Sequence, residues 1–213
     1  MMDVKSAVTG RRGVSLPFTD YCEPIITGNI KFQDVLDQII QYGKRVNWEF
    51  VEFRGGEKFL PGVLSSSRFL GHRLDISREE NEIYSAFKDT FKRNIKKAYA
   101  NGVIVQFFDT EEAVKEFYRL NCITRKRHGL PPQPYRFFRK VYEHIISKGQ
   151  GIVALASHDN RFIAGAVFFH FGEKTLYKYG ASDITYQNLR PNNLVMWEAV
   201  RWYREKGFKS LSL

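Results

Sequence analysis

Basic side chains cluster near the ends of two predicted helices, where their spacing suits contact with phosphate groups. Arg93 and Lys97 lie one helical turn apart, so both side chains can reach one pyrophosphate. Arg125 and Arg127 offer a second pair on the next helix, and His128 adjoins it. The placement of the four cations on consecutive helices predicts that they converge on one electropositive groove. The alternative, a basic helical face that only meets solvent, stays open.

The net charge of +10 is concentrated in one part of the 213-residue chain. Residues 91–148 hold 13 Lys and Arg against 5 Asp and Glu. A basic surface of this size attracts phosphates, nucleic acid or anionic lipid headgroups. Composition therefore favours an anionic partner without deciding among these three.

Common catalytic signatures are absent from the sequence. It contains no G-x-S-x-G, no H-E-x-x-H, no Walker loop and no Rossmann glycine pattern. Cys22 and Cys122 stand far apart with no C-x-x-C partner, which predicts two reduced structural thiols and no metal site. His170 falls within a predicted strand, where a structural role is expected.

The basic residues are positioned by amphipathic helices. One apolar stripe predicts a long helix that ends at Asn101-Gly102, and its members are Tyr84, Phe87, Phe91, Ile95 and Ala98. Similar patterns predict further helices over Phe32–Tyr42, Glu111–Arg127, Tyr135–Ile146 and the segment after Pro191.

Alternating and apolar runs predict the strands, which make the chain an α/β protein. The predicted strands are Val14–Phe18, Trp48–Arg54, Arg68–Ile76, Gly102–Phe108, Gly151–Ser157, Phe162–Phe171, Thr175–Gly180 and Phe208–Leu213. The three strands from residue 151 to residue 180 form a meander joined by hairpin turns.

The sequence predicts no membrane-spanning segment. No apolar run approaches the roughly 18 residues that a spanning helix needs. The first sixteen residues lack the apolar core of a signal peptide, so the expected location is the cytoplasm.

Two short motifs resemble those of the Fem-type peptidyltransferases and of related acetyltransferase-fold proteins from exopolysaccharide clusters. The first motif has a basic residue followed by I-x-x-A-x-x-x-G-V, and the second is a T-R-x-R-x-G-x-P-like segment. The matching positions are Arg93, Ile95, Ala98, Gly102, Val103, Thr124, Arg125, Arg127, Gly129 and Pro131.

The resemblance implies an acyl-CoA N-acyltransferase (GNAT)-like α/β fold, a mixed sheet flanked by helices. Fem-type proteins resemble two such modules in tandem. On this pattern residues 1–108 are a partial first module, and residues 109–213 are a second module truncated in its last strands. The terminal strand is expected to pair with an internal edge or with another chain, in which case a homodimer forms.

The resemblance also implies an activity, the transfer of an acyl or aminoacyl group to an amine of a peptidoglycan or exopolysaccharide precursor. The partners it implies are a phosphate-bearing envelope precursor and tRNA, with aminoacyl-tRNA or acyl-CoA as donor and no other cofactor. The protein would insert no stable segment into the membrane and would act at its inner face.

Such a reaction needs a hydrogen-bond donor for the developing oxyanion. The nearest polar groups at the end of the central strand are Tyr177, Lys178, Tyr179 and Ser182. The first three become the candidate catalytic residues. The alternative for each tyrosine is ordinary aromatic packing on a sheet.

The loop before the last helix lacks the glycines that usually cradle the pyrophosphate of coenzyme A. It reads Gln187-Asn188-Leu189-Arg190-Pro191-Asn192. Because glycine is what permits close backbone approach, this loop predicts that coenzyme A does not bind in the usual way. Asn192 is expected to cap the helix, and Arg190 remains a candidate for contacting the substrate.

Two other functions stay open on the sequence. One is a non-catalytic module that binds RNA or another anionic polymer. The other is an ordinary coenzyme A-dependent N-acetyltransferase, in which Gln187 and Arg190 would replace the glycine loop with side-chain contacts.

Overall fold

The computed structural model describes residues 1–17 and 19–213, which form two compact units, Met1–Phe69 and Leu70–Leu213. This division differs from the boundary expected between residues 108 and 109, because Arg73–Asp75 and Ile104–Phe108 both join the sheet of the second unit. That the first unit is a partial GNAT-like module stays a proposal.

The first unit is a three-stranded sheet with one helix. Its elements are β1 (Met2–Ser6), β2 (Gly10–Val14), β3 (Phe50–Glu52) and α1 (Phe32–Arg45). Asp3 accepts hydrogen bonds from Arg11 and from the Trp48 indole, and these bonds lower its pKa to about 2. The strand expected over Val14–Phe18 is displaced, since β2 ends at Val14; Phe18 lies outside the described residues.

The second unit contains a six-stranded sheet in the order β4-β9-β8-β7-β6-β5. Neighbouring strands run antiparallel except β8 and β9, which run parallel. The strands are β4 (Arg73–Asp75), β5 (Ile104–Phe108), β6 (Gly151–His158), β7 (Arg161–Phe171), β8 (Lys174–Ser182) and β9 (Ser210–Ser212). The expected mixed sheet and its meander are confirmed.

Five helices accompany this sheet: α2 (Glu80–Ser85), α3 (Asp89–Ala100), α4 (Glu111–Arg127), α5 (Tyr135–His144) and α6 (Pro191–Glu205). The single helix expected across the stripe from Tyr84 to Ala98 is therefore wrong. The chain breaks at Lys88, whose backbone is extended. The break lets Tyr84 and Phe87 both pack on Trp197, at ring-centroid distances of 5.1 and 5.6 Å.

The helices cover both faces of the sheet with separate apolar clusters. On one face, α3 and α6 bury Ile95, Leu194 and Tyr203 against the sheet. On the other face, α4 and α5 bury Phe117 and Phe138. From Ala166 to Phe169, successive β7 residues alternate between the two clusters, as the pleat of a doubly covered strand requires.

The terminal strand β9 lies inside the sheet. It pairs antiparallel with β4 and parallel with β8, so the prediction of pairing with an internal edge is confirmed. A homodimer through this strand would need a free edge, which β9 does not have.

Candidate active site

The carboxyl-terminal half of β8 forms an open edge in the sheet. β9 pairs with β8 only from Lys174 to Leu176. From Tyr177 to Ser182, β8 continues beside β7 alone, and no other strand of the described ranges pairs with it there. We call residues 177–182 the open edge of β8, because no strand of the described ranges pairs with it on the side away from β7.

A β-bulge lies at the start of the open edge. The register passes from Val167–Tyr179 to Phe168–Tyr177, so Lys178 is the inserted residue. A bulge reverses the side-chain alternation beyond it. Tyr177 therefore packs against Phe168 on the α6 side, whereas Tyr179 packs into the cluster on the α4 and α5 side.

The two tyrosines occupy different surroundings. Tyr179 contacts the rings of Phe137, Phe138 and Phe169 at 5.4–6.2 Å, which matches the aromatic-packing alternative. The Tyr177 hydroxyl lies against Gly180, where a Cβ atom would collide with it. Burial raises the pKa of Tyr177, so its hydroxyl is protonated at neutral pH and can donate a hydrogen bond beside the open edge.

Thr124 ties α4 to the far end of the open edge. Its hydroxyl donates to the Ser182 carbonyl oxygen at 3.1 Å and accepts from the Ser182 backbone N–H at 2.9 Å. The next backbone N–H, that of Asp183, donates to Ile163 in β7. Because strand groups alternate in direction, the Ser182 groups point away from β7, and Thr124 occupies the edge that a strand would otherwise fill.

The helix α6 begins at the same place. Arg190 precedes it in the left-handed conformation, with φ of 60°, and Pro191 is its first residue. The expectation that Asn192 caps the helix is wrong: no side chain caps it, and the Asn192 amide instead donates to the Ser182 hydroxyl at 3.2 Å. Asn192 and Thr124 thus hold Ser182 from opposite faces.

The four basic residues expected to form one groove do not converge. Arg93 and Lys97 are exposed on α3, on one face of the sheet, and Arg125 and Arg127 belong to α4 on the other. The connecting strand β5 carries the chain from one face to the other. The groove prediction is therefore wrong as stated.

The other predicted basic residues belong to, or adjoin, the two helices that contact Ser182. Arg125, Arg127 and His128 follow Thr124 directly, and Arg190 precedes α6. Arg127 contacts the His128 ring at 3.0 Å. Cations thus lie on or next to both helices that contact Ser182.

The histidine and cysteine candidates show no feature of a reaction centre or metal site in the described residues. His170 contacts the Tyr203 hydroxyl at 3.0 Å and the Gly149 carbonyl oxygen at 2.9 Å, and burial lowers its pKa. Cys22 and Cys122 are both free thiols. Within residues 1–17 and 19–213, no cluster of three or more His, Cys, Asp and Glu could hold a metal ion.

Sequence reasoning placed Thr124 in the Fem-like motif and on the inner face of its helix but predicted no contact with β8, and it misassigned Asn192. A hydroxyl in the sheet-facing row of α4, seven residues after Phe117, was the available signal for the contact with a strand. Nothing local to residue 192 indicates that its amide bonds Ser182, which is ten residues away.

Comparison with known families settles the domain type. The model of the acetyltransferase (GNAT) domain matches residues 85–213. The chain belongs to the GNAT acetyltransferase-domain family. The GNAT-like fold expected from the sequence is confirmed, and the matched range contains α3 to α6 and the open edge of β8.

The Fem-type resemblance is confirmed as well. Over 72 residues the chain is 33% identical to the lipid II:glycine glycyltransferase of Staphylococcus haemolyticus. The aligned part covers 33% of this chain and only 17% of that protein.

Two solved structures share the fold. The crystal structure of FemX matches 98% of this chain and 77% of its own, with a TM-score of 0.67 and 14% identity. The C-terminal domain of a putative lysylphosphatidylglycerol synthetase from Agrobacterium fabrum matches 90% of this chain and 62% of its own, with a TM-score of 0.58 and 11% identity.

Proposed function

We propose that this protein transfers an aminoacyl group, or another acyl group, to an amine of a cell-envelope precursor, and that the transfer takes place at the open edge of β8. The observation that carries the proposal is the start of α6. Arg190 and Pro191 stand where a pyrophosphate would need several outward N–H groups in a glycine-lined turn, and proline has no N–H. This geometry disfavours coenzyme A as donor.

An aminoacyl ester carried by tRNA is the donor that we propose instead. The names of two similar proteins refer to aminoacyl groups. One is a lipid II:glycine glycyltransferase, and the other is a putative lysylphosphatidylglycerol synthetase. The basic surface suits an RNA backbone. The acceptor would be a phosphate-bearing envelope precursor, met at the cytoplasmic face of the membrane. In the described part of the chain, no helix is long and apolar enough to cross a bilayer.

The reaction would be the attack of the acceptor amine on the ester carbonyl. The amine nitrogen forms a bond to the carbonyl carbon, the ester C–O bond breaks, and the leaving oxygen takes the proton that the amine loses. We assign Tyr177 as hydrogen-bond donor to the oxyanion, because its hydroxyl is protonated and lies beside the open edge. The ammonium group of Lys178 would stabilise the same charge, and Tyr179 would anchor the bulge by its packing.

The basic residues on the two faces of the sheet would bind different phosphate groups. Arg125, Arg127, His128 and Arg190 would hold the phosphate of the substrate nearest the reacting carbonyl. On the opposite face, Arg93 and Lys97 would contact phosphates further along the donor, since they do not reach the same site.

A transfer assay tests the proposal. The purified chain is incubated with tRNA charged with labelled amino acids and with a lipid-linked muramyl peptide, and label on the peptide amine is measured. We expect transfer by the wild type and a loss of at least about a hundredfold for Tyr177→Phe, in the range seen when one oxyanion donor is removed. RNA binding without transfer would favour the binding module, and transfer from acetyl-coenzyme A alone would favour an ordinary N-acetyltransferase.

A further inference from the structure

A buried amide without a partner lies on α4, close to the candidate active site. Asn121 is 6% exposed, and among the described residues its side-chain nitrogen has no hydrogen-bond partner. Buried polar groups are nearly always paired, because burial without a partner costs stability. An exception beside a reacting centre points to a group that is satisfied by a ligand.

Helix geometry locates the Asn121 side chain. It lies one turn after Phe117, which packs on the sheet, and one turn before Arg125. Residue 121 therefore sits between the row of α4 that faces the sheet and the row that faces the segment 130–135. That segment runs along α4, since Arg125 donates to the Pro131 carbonyl oxygen at 3.4 Å.

A second buried polar atom without a partner belongs to the segment that runs along α4. The side-chain oxygen of Gln133 has no hydrogen-bond partner within the described ranges. The Tyr135 and Tyr118 rings are in tilted contact, with their centroids 5.3 Å apart, so the segment from Pro131 to Tyr135 spans the two helical turns between Arg125 and Tyr118. Gln133, the middle residue of that segment, therefore lies beside the turn that carries Asn121.

The two atoms have complementary chemistry. The Asn121 nitrogen can only donate a hydrogen bond, and the Gln133 oxygen can only accept one. A group that satisfies both must present an acceptor and a donor side by side, as the C=O and N–H of a secondary amide do. We propose that Asn121 and Gln133 form a subsite for a peptide group of the acceptor. The proposal rests on the proposed function for the identity of that acceptor.

The subsite would determine which acceptors are used. Thr124, one turn beyond Asn121 on the same side of α4, holds Ser182 at the open edge. An acceptor whose peptide group bonds Asn121 and Gln133 would thus be positioned from the helix that also fixes the end of β8. An amine on a ligand without a peptide group would lose both hydrogen bonds.

Ester replacement tests the role of Gln133. The probe is N-acetyl-alanyl-lysyl-alanine, together with esters in which each peptide N–H is replaced in turn by oxygen, and binding is measured by calorimetry. We expect one ester to bind the wild type about tenfold more weakly than the peptide. Gln133→Met should bind this ester and the peptide equally, whereas the matched control Gln41→Met, at an exposed glutamine of α1, should still discriminate. No saturable peptide binding, or unchanged discrimination in Gln133→Met, would overturn the subsite.

Thermal unfolding tests Asn121 by a different property. Asn121→Leu removes an amide that has no partner in the folded chain, so we expect an unchanged or higher Tm together with weaker peptide binding. A lower Tm would show that the amide serves the fold, and the subsite would be wrong. If the chain binds the peptide more tightly than the ester but transfers no aminoacyl group, the subsite stands and the proposed function is refuted. If it transfers the group but binds ester and peptide equally, the proposed function stands and the subsite is refuted.

Discussion

Replacing Thr124 by valine should weaken the attachment of β8 to α4. The threonine hydroxyl makes two hydrogen bonds to the Ser182 backbone, at 3.1 and 2.9 Å, and valine keeps the shape while it removes both. Ser182 is half-buried at the open edge, so its N–H and C=O would lose partners that no neighbouring strand replaces.

The expected loss can be worked out from these bonds. A typical intramolecular hydrogen bond contributes a net ~0.5–1.5 kcal/mol, so the pair should contribute about 1–3 kcal/mol to the free energy of unfolding. For a chain of this size 1 kcal/mol shifts Tm by roughly 2–4 °C. Thr124→Val should therefore lower the Tm of the second unit by about 2–12 °C.

Calorimetric unfolding of the whole chain measures this difference, and Thr124→Ser is the matched control because it retains the hydroxyl. We expect Thr124→Ser to lie much closer to the wild type than Thr124→Val does. If the valine variant unfolds at the wild-type temperature, Thr124 does not hold the open edge, and the geometry assigned to the end of β8 is wrong.

Three further predictions concern substitutions at Gly180, at His170, and at Arg93 together with Arg125. Gly180→Ala should reduce transfer with little change in Tm, because the new Cβ atom displaces the Tyr177 hydroxyl; wild-type turnover would contradict it. The lowered pKa of His170 contributes stability above the unfolded value of about 6.5 that is lost as pH falls through the folded value. The excess stability of the wild type over His170→Gln should therefore shrink between pH 7.5 and pH 5 in urea titrations, and a pH-independent difference would refute it. Arg93→Ala and Arg125→Ala lie on opposite faces, so their effects on tRNA affinity should add; a coupling above about 1 kcal/mol would indicate a shared site.

The sequence predicted the second unit well because its elements carry local signals. The helix α4 has the expected bounds, Glu111–Arg127, and the Thr110 hydroxyl accepts from the Ala113 N–H at 3.3 Å as an N-cap does. The meander strands are long and apolar, and a left-handed Asp159-Asn160 turn joins the first two. Periodicity and turn residues are enough to fix such elements.

The sequence did not predict the elements that are held by contacts between residues far apart along the chain. The hairpin of β1 and β2 has little apolar pattern, and its Asp3 is held by Trp48, which lies 45 residues further along the chain. The break at Lys88 follows from packing on Trp197 and leaves the apolar stripe intact.

The sequence indicated candidate residues for the site but not which faces of the sheet they occupy. Helical spacing shows which cations share a helix face, but it does not show which face of the sheet the helix covers, and so Arg93 was placed with Arg125. Counting by two along β8 puts Tyr177 and Tyr179 on the same face, whereas the bulge at Lys178 separates them. A bulge is a property of the pairing of two strands, so one strand's sequence does not reveal it.

The most direct test of the proposed donor is a reaction that contains both aminoacyl-tRNA and acetyl-coenzyme A. Equal concentrations of aminoacyl-tRNA and acetyl-coenzyme A are incubated with the chain and a muramyl peptide, and the mass added to the acceptor amine is read by mass spectrometry. We expect an aminoacylated product and no acetylated one, because Pro191 and the glycine-free turn before α6 cannot cradle the pyrophosphate. An acetylated product, accompanied by saturable micromolar binding of acetyl-coenzyme A, would contradict the central claim.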